Sequence, residues 1–120
     1  MKAISLRQLW ANLVASGQKT IETRTWGTEY RGPLLIVSSK SPDIPPAGYA
    51  LAVVDLLDCR QMTKHDETAA CCSIYPNAIA WVLGNVRRLR VFPVKGQRRI
   101  FEIDVPQLLT PDGDSLMINQ

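Results

Sequence analysis

Five short runs rich in β-branched and aliphatic residues restrict the folds open to this chain. They lie at residues 20–24, 34–38, 49–57, 78–83 and 99–105. Valine, isoleucine and threonine favour an extended backbone, because branching at Cβ crowds the preceding turn of a helix. The helical segments do not alternate regularly with these runs, as they would in a doubly wound parallel sheet. The pattern predicts an α+β fold, a mixed β-barrel of about five to six strands with flanking helices.

The first helix is predicted at residues 5–16. Apolar residues recur there three and four positions apart and would share one helix face: Leu6, Leu9, Trp10, Leu13 and Val14. Ser5 is the candidate N-cap, and Gly17 is the candidate stop because glycine readily adopts the left-handed conformation that ends helices. On this pattern Trp10 belongs to the buried face and packs in the core.

A second, shorter helix is predicted from Thr63 to about residue 73. Thr63 would cap the first turn while Asp66 bonds back to the Thr63 backbone, the reciprocal arrangement of a capping box. His65 stands beside Asp66 and Glu67, which also suits an acid–base pair. Because polar residues at the start of a helix usually cap it, we interpret this group as structural.

Length and composition indicate one globular domain over residues 1–120. A chain of 120 residues supports one hydrophobic core and is too short for two. No apolar run approaches the roughly 20 residues of a membrane span, and Arg7 and Gln8 interrupt any signal-peptide core. We therefore expect a cytoplasmic monomer without a membrane partner.

Neither a metal site nor a cofactor is predicted. The three cysteines, Cys59, Cys71 and Cys72, are odd in number and lack zinc-ligand spacing, so we expect them to be reduced and partly buried. Glycine-rich loops of the Walker or dinucleotide type are absent from the sequence. A single histidine leaves no ordered Ser-His-Asp or Cys-His set.

Residues 19–24 concentrate three charged side chains on one predicted strand. Glu22 and Arg24 are two positions apart, so they share a face with Cα atoms about 7 Å apart. Lys19 has the opposite parity, but its flexible four-carbon stem can reach either side. One interpretation is a solvated strand with an internal salt bridge, and the other is a group that grips one ligand together.

The segment 17–24 reads Gly-x-Lys-x-x-Glu-x-Arg, and segments 4–11, 24–26, 30–36 and 80–83 accompany it. Together they resemble the ASCH family (activating signal cointegrator homology), in its compact stand-alone bacterial or phage type. The resemblance implies a PUA-like β-barrel related to RNA-binding domains. One departure is Leu9, where compact bacterial members usually have proline. We expect this change to affect the start of the helix and not the site.

The resemblance implies an RNA- or nucleotide-binding cleft lined by this motif. Lysine and arginine can hold phosphate, a carboxylate can accept from a base amino or ribose hydroxyl group, and an aromatic ring can stack on a base. The expected partner is RNA, another single-stranded nucleic acid or a nucleoside. The predicted binding residues are Lys19, Glu22, Arg24, Trp26, Arg31, Trp81, Arg88 and Arg98. For Trp26 and Trp81, packing in the core is the alternative to lining the site.

An enzymatic alternative stays open. One branch of the superfamily deacetylates N4-acetylcytidine with a motif that resembles Gly-x-Lys-Thr-x-Thr-x-Arg and a glutamate from a later helix. Lys19 matches the lysine, Glu22 replaces the threonine, and Glu67 could stand for the later glutamate. Lys19 and Glu22 would then be catalytic. A ribonuclease would instead use Lys19 and Arg24 to stabilise charge on phosphorus.

A basic segment follows the fourth run. It has no acidic residue until Glu102 and contains Arg87, Arg88, Arg90, Lys95, Arg98 and Arg99. Cations clustered on one side of a domain give the positive potential that attracts phosphates. The alternative is a solvated hairpin.

Overall fold

Six strands form a single mixed sheet in a computed structural model, which describes residues 1–104. The strands are β1 (Lys2–Leu6), β2 (Ile21–Arg24), β3 (Gly32–Ser38), β4 (Tyr49–Gln61), β5 (Ile79–Pro93) and β6 (Ile100–Glu102). Their order across the sheet is β2-β5-β4-β3-β1-β6. Only β1 and β3 pair in parallel among these strands. With helices α1 (Trp10–Ala15) and α2 (Glu67–Ala70), the curled sheet confirms the predicted α+β barrel-like fold.

The central strand β3 is buried on both faces. Successive side chains of a strand point to opposite sides, so Leu34 and Ile36 join the core under α1 while Leu35 and Val37 join a second core. This explains why residues 34–37 form an uninterrupted apolar run instead of alternating with polar residues. The candidate site lies at the margin of the sheet face that α1 covers, since Trp10 of α1 is one of its lining residues.

The first two residues of the predicted N-terminal helix, Ser5 and Leu6, instead end strand β1, and α1 begins only at Trp10, so that expectation was wrong. Ser5 pairs with Val37 in β3 and caps no helix. Leu6 is buried beneath α1, but Leu9 is 61% exposed and lies outside the core. The predicted helix therefore holds only from Trp10 onward, because pairing with β3 makes Ser5 and Leu6 the end of a strand. Gly17 ends the helical segment as predicted, with a φ of 84°.

Strands β4 and β5 extend beyond their predicted ends at residues 57 and 83. The register between them shifts near Ala50, near Val53 and near Leu56. Such β-bulges bend a strand and allow a long pair to follow a curved sheet. Because β5 continues to Pro93, Arg87, Arg88 and Arg90 lie on a strand. Strand β6 confirms the first part of the fifth predicted run, while the predicted end of that run at Val105 lies outside the described residues.

The predicted capping arrangement at Thr63 is confirmed. The Asp66 carboxylate accepts a hydrogen bond from the Thr63 backbone N–H at 2.7 Å and pairs with Arg60 at 2.8 Å. The hydrogen bonds from Arg60, and then that from the Thr63 backbone, hold the pKa of Asp66 well below its usual range. A 3₁₀ turn at Lys64–Asp66 leads into α2, which ends at Ala70 and therefore stops before residue 73.

Within residues 1–104, no helix combines the length and apolar character that crossing a membrane requires. In the same part of the chain, no three histidine, cysteine or acidic residues are grouped so that they could hold a metal ion.

Candidate functional site

A cavity of about 320 Å³ opens beside β2. Its walls come from the β1–α1 connection, from the start of α1, from β2 with the residues that precede it, and from the segment that follows α2. The lining residues are Arg7, Trp10, Lys19, Glu22, Thr23, Arg24, Cys72 and Tyr75. Ligand pockets commonly measure about 300–1,000 Å³, so this cavity suits one small molecule or one unit of a polymer.

Glu22 lies between the two cations of the motif. One carboxylate oxygen is 2.9 Å from Nη2 of Arg24, and the other is 3.6 Å from Nζ of Lys19. The Glu22 side chain is only 10% exposed. The period-two argument correctly predicted that Glu22 and Arg24 meet, and Lys19 reaches the same group despite its opposite parity.

Lys19 joins three elements of the fold. Its backbone N–H donates to the Leu13 carbonyl in α1, and its ammonium donates to the Ala70 carbonyl at the end of α2. The same ammonium lies 5.1 Å from the centre of the Trp10 ring, close enough for a cation–π interaction. With a side chain only 2% exposed, Lys19 contributes charge and rigidity from beneath the cavity surface.

Arg24 is anchored through its Nη2 atom, while its Nε atom has no partner among the described residues. Its Nη2 donates to the Ser5 carbonyl of β1 at 2.9 Å. Its Nε is buried without a hydrogen-bond partner in residues 1–104. Arg7 lies exposed on the same cavity. The cavity lining therefore carries three cations and one carboxylate, which makes the cavity attractive to an anion that also carries hydrogen-bond donors.

The aromatic walls differ from those expected. Trp10, predicted to lie in the core, is 39% exposed and lines the cavity. The buried face of α1 is instead formed by Ala11, Val14 and Ala15. The three- and four-residue spacing therefore gave the wrong face for Trp10.

Trp81 and Trp26 do not line this cavity, contrary to their expected site-lining role. Trp81 is fully buried, although its backbone pairs directly with Glu22 across the sheet. Its indole N–H donates to the Trp26 carbonyl at 3.0 Å, and the two rings meet edge to face with centroids 4.9 Å apart. The guanidinium of Arg99 lies 4.7 Å from the centre of the Trp26 ring. These tryptophans form part of the support beneath the site.

Three other predicted binding residues also lie away from the cavity lining. Arg31 donates to the Thr28 and Tyr30 carbonyls and lies 3.6 Å from Asp58. Arg88 and Arg98 are exposed on β5 and on the connection that follows it. The sequence correctly grouped Lys19, Glu22 and Arg24, which lie within six positions of one another and all line the cavity.

The same reasoning missed lining residues contributed by other parts of the chain. They are Arg7, Thr23, Cys72 and Tyr75. Thr23 follows Glu22 directly, so alternation along the strand would place it on the opposite face, and yet it borders the cavity. The other three depend on how distant segments pack, for which the sequence carries no local signal.

Glu67 does not complete a catalytic set in this arrangement. Its carboxylate accepts from the Ile74 backbone N–H at 2.8 Å and thereby holds the segment after α2. His65 is exposed and, like Glu67, lies away from the cavity lining. The expected assignment of Glu67 to the later glutamate of the amidohydrolase branch therefore receives no support from its position.

Comparison with known proteins identifies similar sequences and folds. The family model described as the ASCH domain matches residues 4–92. Activating signal cointegrator 1 from Mus musculus and from Homo sapiens are 28% and 27% identical to this chain over 127 aligned positions, which cover 84% of it. The chain spans only 22% of the length of each of these relatives.

Solved structures agree with the fold. The crystal structure of ASCH from Zymomonas mobilis matches with a TM-score of 0.69 at 16% identity, covering 86% of this chain and 87% of that one. A mutant of that protein matches with a TM-score of 0.64 at 14% identity, over 86% of this chain and 89% of the other. At such identities the likeness is one of fold.

Proposed function

We propose, from the premise that this chain belongs to the ASCH domain family, that it binds one nucleotide of a single-stranded RNA, or a nucleoside, in the cavity beside β2. The observation that carries this proposal is the position of Glu22. The Glu22 carboxylate lies 2.9 Å from Nη2 of Arg24 and 3.6 Å from Nζ of Lys19. The partly exposed Trp10 forms part of the wall of the same cavity.

Each part of the cavity matches one part of a nucleotide. A carboxylate accepts hydrogen bonds from base amino groups or ribose hydroxyls. The ring of Trp10 offers a flat apolar face for base stacking, which is worth about 1–3 kcal/mol per base. Because Lys19 is buried and bonded to Ala70, Arg7 and Arg24 are the cations better placed to meet phosphate.

The flanking nucleotides of a strand would follow the basic surface, which we define as Arg88, Arg90, Lys95, Arg98 and Arg99. All five are exposed, and none forms an ion pair with another described residue. Arg87 is excluded because it pairs with Asp55.

The connection between β5 and β6 links the basic surface to the cavity. A Cβ added at Gly96 would lie 2.6 Å from Oγ of Ser5. Gly96 therefore packs closely on β1, and the carbonyl of that same serine holds Arg24. The cations of this connection thus lie beside the element that anchors the cavity arginine, which supports one continuous path for a phosphate backbone.

Binding can be tested with variants that separate the cavity from the rest of the surface. Titration of single-stranded RNA and of ribonucleoside monophosphates, followed by calorimetry, should give binding to the wild type that falls at least tenfold in Arg24→Gln. Arg31→Gln, a matched change at an exposed arginine away from the cavity, should leave affinity within about twofold. If neither the RNA nor the monophosphates bind even at low salt, the proposal is refuted.

Hydrolysis is the second candidate, favoured by one observation. Thr23, which carries a hydroxyl group, lines the cavity together with Lys19 and Glu22, although Glu22 occupies the motif position of the amidohydrolase threonine. Incubation with N4-acetylcytidine and with short RNA distinguishes the two functions. Binding alone predicts no cytidine and no cleaved strand, whereas product formation that disappears in Thr23→Val and Glu22→Gln would establish an enzyme.

A further inference from the structure

A second concave surface adjoins the cavity and shares one wall with it. This groove has a volume of about 400 Å³ and is lined in part by Gln61, Met62, Tyr75, Pro76 and Asn77. Tyr75 also lines the cavity that contains Glu22. One half-buried tyrosine therefore borders two neighbouring spaces, each large enough for a planar group.

The groove differs from the cavity in its chemistry. None of the described residues that line it is charged, whereas the cavity carries three cations and a carboxylate. The side chains of Gln61 and Asn77 are exposed amides, and each can donate and accept hydrogen bonds. Amides beside an aromatic ring suit a neutral base with polar edges better than they suit a phosphate.

A tight turn holds the shared wall in place. The Ala78 backbone N–H donates to the Tyr75 carbonyl at 3.2 Å, with Pro76 and Asn77 between them. Asn77 has a φ of 64°, as the third residue of a type II turn requires, and proline favours the second position. The neighbouring strand adds support, since the Met62 backbone N–H donates to the Ala78 carbonyl at 3.0 Å.

We infer that this groove is a second base subsite, which holds the nucleotide adjacent in the strand to the one bound in the cavity. The inference rests on the proposed function, because the strand enters the groove from the cavity. Tyr75 would separate the two bases and stack on at least one of them. Asn77 and Gln61 would bond the edge of the second base, so the protein would recognise a dinucleotide step.

Three probes isolate the contribution of the second base. Calorimetry would compare ribonucleoside 5′-monophosphates, ribodinucleotides, and the same dinucleotides in which the second sugar is abasic. The abasic probe retains the linking phosphate and the ribose, so any further gain comes from the base. We expect the best dinucleotide to bind about tenfold more tightly than its abasic counterpart, within the range for one additional stacked base.

Variants assign that gain to the groove. Asn77→Gly removes the amide while keeping the positive φ that glycine readily adopts, and should reduce the gain to about twofold without changing monophosphate affinity. Asn85→Gly is the matched control, since Asn85 also has a positive φ, of 50°, and lies outside both spaces. It should behave as the wild type does.

The outcomes separate this inference from the proposed function. Equal affinity for the dinucleotides and their abasic forms, with monophosphates still binding, would overturn the second subsite alone. The same holds if Asn77→Gly leaves the gain intact. Failure of every probe to bind would overturn both.

Discussion

Replacing Glu22 by glutamine should destabilise the folded protein as well as weaken binding. Among the described residues, Glu22 is the one acidic group that lines the cavity, and its carboxylate faces two cations. Glutamine preserves the shape and leaves an amide oxygen for Arg24. It removes the negative charge, however, and leaves the ammonium of Lys19 only 2% exposed and without a counter-charge.

The size of the effect follows from this burial. Breaking a buried ion pair by removing one partner costs about 3–5 kcal/mol. The retained hydrogen bond to Arg24 offsets roughly 1 kcal/mol of that cost. We therefore expect Glu22→Gln to lower the free energy of unfolding by about 2–4 kcal/mol. At a urea slope of about 1.5 kcal/mol per molar, the midpoint would fall by about 1.3–2.7 M.

Urea unfolding followed by circular dichroism measures this directly. Glu29→Gln is the matched control, because Glu29 is exposed and has no ion pair with another described residue; it should change stability by less than about 0.5 kcal/mol. The Glu22→Gln variant should also bind RNA more weakly, since charge assistance at the carboxylate is lost. Equal stability of the two variants would contradict the buried ionic arrangement on which the site depends.

Three further outcomes are expected. Pairing with Arg60 holds the pKa of Asp66 low in the folded protein. The stability that the Asp66 carboxylate provides is therefore fully present above the ordinary aspartate pKa of about 3.9, and it is lost as the pH falls toward the folded-state pKa. The difference in urea midpoint between the wild type and Asp66→Asn should shrink below about pH 4. In the double variant Arg88→Glu/Arg98→Glu, the slope of log RNA affinity against log salt concentration should become shallower by about 0.7 for each phosphate that is no longer neutralised. An unchanged slope would show that these two arginines do not contact the phosphates of the RNA. The buried Gln8 side chain donates to the Ser38 hydroxyl and exchanges hydrogen bonds with Asn12 of α1. Gln8→Leu should therefore lower the free energy of unfolding, measured by thermal denaturation, by about 1–3 kcal/mol.

The parts of the site that lie on one strand were predictable from the sequence. Side-chain direction alternates along a strand, so the spacing of Glu22 and Arg24 alone indicated that they meet. The Thr63 and Asp66 arrangement was predictable for the same reason, because a capping box is closed within four residues. In both cases the interaction depends on local backbone geometry and on no distant contact.

The errors arose where distant packing decides the structure. Strand β1 was not predicted, and its last two residues, Ser5 and Leu6, were assigned to the first helix, whereas pairing with β3 makes them part of the strand. Trp10 and Trp81 are equally hydrophobic in the sequence. Helix α1 leaves the first at the margin of the core, while the centre of the sheet encloses the second completely. The sequence does not indicate how deeply each tryptophan is buried, so Trp81 was assigned to the cavity wall and Trp10 to the core.

The same charges that shape the cavity also join the elements around it. Lys19 is bonded to the end of α2 and faces Glu22, and Glu22 in turn holds Arg24 against the Ser5 carbonyl of β1. A ligand that bonds Glu22 therefore acts on a network that connects β1, β2 and α2, instead of on a single flexible side chain. Such pre-organisation lowers the entropic cost of binding. It also explains how a motif of three charges can occupy a nearly buried strand, since each charge has a partner within the fold.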